Sequence, residues 1–86
     1  MYSFEQFIDD VKHGREIEFR INGVDYSITN TKMGWQIAED NCLIVNGVSD
    51  EDLIIQIIKN EVLLDGKSLK KIFDDELYDK ESLFIL

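Results

Sequence analysis

Carboxylates are the most abundant side chains able to do chemistry: 18 Asp and Glu stand against 9 Lys and Arg, a net charge of −9. They come in runs, Asp9-Asp10, Glu39-Asp40, Asp50-Glu51-Asp52 and Asp74-Asp75-Glu76, with Asp79 just beyond the last. Two carboxylates can share acid and base roles only in a cleft that drives their pKa values apart. These runs fall on helix faces, helix ends and turns, where carboxylates stay solvated, so acid–base catalysis is disfavoured. Nucleophilic catalysis needs a nucleophile, a base and an orienting group brought together. The single histidine, His13, stands beside Gly14 at a helix C-terminus and reads as a cap. The single cysteine, Cys42, stands at a strand start and reads as a small core residue. No run has EF-hand spacing, zinc lacks its His and Cys ligands, and no glycine-rich phosphate motif appears. No catalytic residue, cofactor site or metal site is expected, and the role expected is non-enzymatic.

Charge says more about partners than about reactions. Affinity for nucleic acid rests on Lys and Arg neutralising phosphates, so direct nucleic-acid binding is disfavoured, as is binding to anionic membrane surfaces. A basic protein is the partner that suits this composition; the competing use of the acidity is solubility alone. The candidate partner-binding patch joins Asp50, Glu51 and Asp52, at the start of one helix, to Asp74, Asp75, Glu76 and Asp79, at the end of another. The first group is favoured by the helix dipole. The second sits where the dipole disfavours acid, so stability explains it least. The apolar runs are too short for a membrane span, and the N-terminal residues lack the pattern of a secretion signal. A lone cysteine suits a reducing cytoplasm, the location expected.

The elements that must carry these residues are legible from periodicity. Eighty-six residues make a single small domain, 1–86, with one modest core and little room for a deep cavity. Ser3 and Gln6 form a capping box for a helix whose stripe is Phe4, Phe7, Ile8 and Val11, ended by Gly14. Residues 15–29 then alternate apolar and polar around Asn22-Gly23, which fits a two-residue type I′ turn. That turn fixes the register: Ile21 faces Val24, Phe19 faces Tyr26, and Ile17 faces Ile28 on one side. Arg20 meets Asp25, Glu18 meets Ser27 and Glu16 meets Thr29 on the other. Residues 30–33 read as a polar link and 34–39 as a third strand, with Trp35 and Ile37 inward. After an Asp40-Asn41 turn, 42–45 is a fourth strand or an extended run, closed by Asn46-Gly47.

Ser49 caps a second helix with a buried stripe of Leu53, Ile54, Ile57 and Ile58, extended by Val62 or Leu63. Ile55 lies off that stripe, so this helix packs centrally or leaves an apolar patch. Asp65-Gly66 breaks the chain, and helical spacing resumes over 67–75 through Leu69, Ile72 and Phe73, extending to Leu77. The tail, 82–86, is apolar and β-forming and must pair with the sheet or be covered. Aromatics including Trp35, Phe73 and Phe84 read as inward, while Tyr2 and Tyr78 have no clear inward phase. The fold expected is α+β: an N-terminal helix, a three- to four-stranded antiparallel meander centred on the 15–29 hairpin, then two helices packed on one sheet face.

Gly-Arg-Glu-Ile-Glu-Phe at 14–19, Asn-Gly with Tyr-Ser-Ile at 22–28, Gly-Trp at 34–35 and Asp-Gly-Lys-Ser-Leu-Lys-Lys-Ile-Phe at 65–73 carry a resemblance. Over most of its length the chain resembles a group of small acidic uncharacterised proteins of Gram-positive bacteria and their mobile elements, in which a Trp often stands at the place of Phe73. Some of that group look like companions of toxins or phage-encoded inhibitors, and the resemblance implies no enzymatic activity. The function expected is an immunity-protein or phage-inhibitor type of acidic binding protein that neutralises a basic partner by electrostatic complementarity. The alternative is a structural or self-associating protein, a homodimer formed through the sheet edge or the wide face of the second helix.

Overall fold

A computed structural model describes residues Met1–Leu86. Its frame is the hairpin of β1 (Ile17–Ile21) and β2 (Val24–Thr31), closed by Asn22 at φ 50° and Gly23 at φ 80°. Five of the six pairs expected from the turn are present, from Ile17 opposite Ile28 to Ile21 opposite Val24; the sixth, Glu16 with Thr29, falls outside the ladder because β1 begins at Ile17. β3 (Gly34–Glu39) pairs with β2, and β4 (Cys42–Val48) pairs with β3, both antiparallel. The tail pairs as expected: β7 (Phe84–Ile85) lies antiparallel to the free edge of β1, giving a five-stranded sheet of order β4-β3-β2-β1-β7.

One face of that sheet is apolar and carries the helices. α1 (Phe4–Lys12) has the complete capping box of Ser3 and Gln6, and buries Phe7 and Val11. α2 (Asp50–Ile58) is capped by Ser49 and buries Leu53 and Ile57. α3 (Leu69–Asp74) is capped by Ser68 and buries Leu69, Ile72 and Phe73. These side chains join the inward residues of the sheet, Trp35 and Ile37 among them, in a single core of 18 residues. Phe73 is its aromatic hub: its ring lies 4.8 Å from Phe7, 5.3 Å from Phe19, 5.4 Å from Tyr2 and 6.0 Å from Tyr78, centroid to centroid. Three of the four contacts are edge-on, the geometry in which ring quadrupoles attract.

Several elements depart from their expected bounds. The polar link at 30–33 shrinks to a tight turn at Lys32-Met33, because Gly34 takes up φ 111° and lets β2 run to Thr31. β4 runs through Asn46-Gly47 by irregular pairing: its register shifts on either side of Ile37, and Gly47 adopts φ 72°. α2 stops at Ile58, after which Asn60 turns left-handed at φ 58°. Its last turn overhangs the core, leaving Ile58 60% exposed and Ile54 half-buried, whereas Val62 beyond the helix is buried. Residues 67–68 form β6, not helix, paired with β5 (Leu63–Leu64) across Asp65-Gly66. Cys42 is exposed at the start of an edge strand. Tyr78 is buried against Phe19 and Phe73, and Phe84 points outward.

Candidate functional site

The other face of the sheet has no helix on it, and strand register gives its composition. Directly paired residues share a face, so the central row across the strands reads Phe84, Glu18, Ser27, Ala38, Leu43. Phe84 and Leu43, at the two ends, are 60% and 52% exposed, while the middle is floored by the small side chains of Ser27 and Ala38. The row is therefore a shallow trough with an apolar wall at each end. Beside it Arg20 faces Asp25, as the hairpin register demands, with Nε 2.8 Å from Oδ1.

Two connections bring further carboxylates to this face. The β3–β4 turn has Asp40 at φ 45° and Asn41 at φ 72°, a left-handed pair with no glycine. Asp40 is held there by a reciprocal contact: its N–H donates to Asp25 O at 2.8 Å, and its Oδ1 accepts from Asp25 N–H at 2.9 Å. On the opposite side, residues 79–86 are strapped along β1. Asp79 N–H donates to Arg20 O, Arg20 N–H to Ser82 Oγ and Leu86 N–H to Glu16 O, at 2.8, 2.8 and 2.7 Å. The result is a depression of about 550 Å³ lined by Glu18, Arg20, Asp25, Asp40, Glu81 and Phe84 among others. Its one cation, Arg20, is already held by Asp25, whose hydrogen bond and charge raise the guanidinium pKa. Glu18, Asp40 and Glu81 have no basic partner.

The carboxylates singled out from sequence are divided between two ends of the molecule. Asp50, Glu51 and Asp52 open α2, directly after β4 pairs Val48 with Trp35 near the Lys32-Met33 turn. Asp79 lies at the other end of the strands, bonded to Arg20 near the Asn22-Gly23 turn. No hydrogen bond or ion pair joins the two groups. The α3 run is also engaged locally. Lys70 reaches Asp74 at 2.7 Å, Lys71 reaches Asp75 at 3.5 Å and Lys80 reaches Glu76 at 3.4 Å. Asp74 accepts in addition from Phe4 N–H at 2.8 Å, so it satisfies an orphan donor of α1 from outside that helix. The Lys70 bond, then the Phe4 bond, hold the Asp74 carboxyl below its ordinary range. Asp79 Oδ1 caps the 3₁₀ turn at Lys80–Ser82 by accepting from Glu81 N–H. This run thus has a structural use, whereas Asp50, Glu51 and Asp52 hold no basic side chain.

His13 Nδ1 lies 2.8 Å from Asp9 O at the end of α1, remote in sequence and contacts from Cys42. No three Asp, Glu, His or Cys side chains converge as a metal-holding group. No helix is long and apolar enough to cross a membrane. No protein-family model matches the chain, and no curated protein or solved structure is significantly similar to it. Sequence reasoning missed Glu18, Asp40, Glu81, Leu43 and Phe84 as a group. The polar phase of the hairpin marks Glu18 as outward; Asp40 is brought beside it by its bonds to Asp25 at the end of the β2–β3 ladder, Leu43 by the β4 pairing, and Glu81 and Phe84 by the strapping of residues 79–86 along β1.

Proposed function

We propose that the protein is a non-enzymatic acidic binding protein that neutralises a basic protein partner by covering a positively charged site. The observation that carries the reading is the open sheet face, where Glu18, Asp40 and Glu81 line a depression and form no ion pair, its one cation, Arg20, being bound to Asp25. Charges left free on a concave surface steer a cationic partner and lose little by burial against it, because the partner supplies the missing counter-ions. The α3 run contributes less, since its lysines must be displaced first; Asp50, Glu51 and Asp52 add to the long-range field.

The test uses an arginine-rich peptide as probe and follows association kinetics at low and moderate salt. Reversal of Glu18 and Glu81 to Lys should weaken binding about tenfold, mainly through the on-rate, and reversal of Asp74 and Asp75 should weaken it less. Equal losses from both reversals would leave net charge, and not the open face, as the cause.

Ile55 and Ile58, three residues apart on α2 and 48% and 60% exposed, favour self-association as a second reading. Sedimentation of the pure protein decides it: the electrostatic reading expects a monomer, and a dimer abolished by Ile58→Lys would favour the second.

A further inference from the structure

We infer that the open sheet face receives a basic amphipathic helix of the partner, seated between Phe84 and Leu43. The inference rests on the proposed function and names the chemistry of the segment that the acidic face would take. Five strands separate the two walls by four spacings, about 19 Å at ~4.8 Å each. Between the exposed walls the row is Glu18, Ser27 and Ala38, the last two small enough for a backbone to come close. A helix is the occupant because it satisfies its own peptide groups internally; an extended segment would need a sheet edge for that, and this face offers only side chains. Residues about eleven apart lie on one helix face at about 16 Å, within reach of both walls through their side chains.

Charge decides the rest of the pattern. Glu18 stands in the row with Asp40 and Glu81 beside it, none of them in an ion pair, so the helix must carry Arg or Lys between its two apolar anchors. A second copy of this chain does not fit, since its net charge of −9 would meet the same sign. Phe84 adds an aromatic face for a guanidinium to lie on.

The experiment titrates the full chain with a synthetic helical peptide bearing two leucines eleven residues apart and arginines between them. Controls replace both leucines by Ser, or break the helix with a central Pro. Binding should weaken about tenfold with either control peptide, and similarly with Leu43→Ser or Phe84→Ser in the protein. If Phe84→Ser loosens β7, Leu43→Ser and the anchorless peptide carry the same comparison. Equal binding of all three basic peptides overturns the helix inference and leaves the acidic reading standing. Failure of every basic peptide to bind removes both.

Discussion

Gly34 and Gly23 both have positive φ, at 111° and 80°, yet they should respond differently to substitution. A Cβ on Gly34 would lie 2.8 Å from Val48 O and 2.9 Å from Gly47 C, both backbone atoms, while a Cβ on Gly23 would meet nothing within 4 Å. Gly23→Ala should therefore cost about 1 kcal/mol of torsional strain, and Gly34→Ala about 2–3 kcal/mol because β4 must also move. Denaturant midpoints of the two variants check this order. The three tyrosines, Tyr2, Tyr26 and Tyr78, offer a second test at this scale. Burial raises all three phenols first; Tyr2 then donates to Asp10 and Tyr26 to Glu39, which raises them further, Tyr26 to about 12. An unfolded phenol ionises near about 10, so stability is complete below that pH and falls above it, where the unfolded chain releases protons that the folded chain keeps. Tyrosinate absorbance should accordingly appear together with loss of the circular dichroism of the fold. Ionisation of all three phenols near pH 10 in a folded chain would contradict their burial.

At the scale of elements, legibility tracked how local the determining contacts were. The hairpin is legible from Ile17 to Ile28 because a two-residue turn fixes register and the alternation repeats it pair by pair. The caps at Ser3 and Ser49 were readable for the same reason, each being a contact within four residues. What was not readable depended on distant partners. Sequence alone places Phe84 in the core, and only the pairing of β7 with β1, 66 residues away, turns it outward opposite Glu18. Tyr78 had no periodic phase, and it is buried by two rings from β1 and α3. The acid at the end of α3 has a stabilising use that sequence does not show, because Asp74 accepts from Phe4 N–H of α1 across the fold. The same long-range contacts meet at Phe73, which joins the N-terminal segment, α1, β1 and Tyr78. Phe73→Ala should cost about 3–5 kcal/mol, a large share of what a domain of this size has, and chemical denaturation measures it.

Over the whole molecule, charge and shape are unevenly shared. Seven of the 18 carboxylates hold a Lys, Arg or His partner and eleven do not. The paired ones include Asp74, Asp75 and Glu76, so one of the two three-residue acidic runs is engaged while the other, Asp50-Glu51-Asp52, is free. Exposed pairs of this kind add little stability, and they neutralise charge at this end of α3. The open face keeps its carboxylates and adds two apolar walls to them. Ionic strength should therefore act mainly on the rate of encounter with a basic partner, since exposed charges are screened beyond about 8 Å in physiological salt. The most direct measurement is the map of backbone amide shifts in the isotope-labelled protein as an arginine-rich peptide is added. Shifts centred on Glu18, Ser27, Ala38, Leu43 and Phe84, with α3 unmoved, are the result expected. Shifts centred on Asp50 to Gln56 of α2, or spread over every acidic segment alike, would contradict the assignment of binding to the open sheet face.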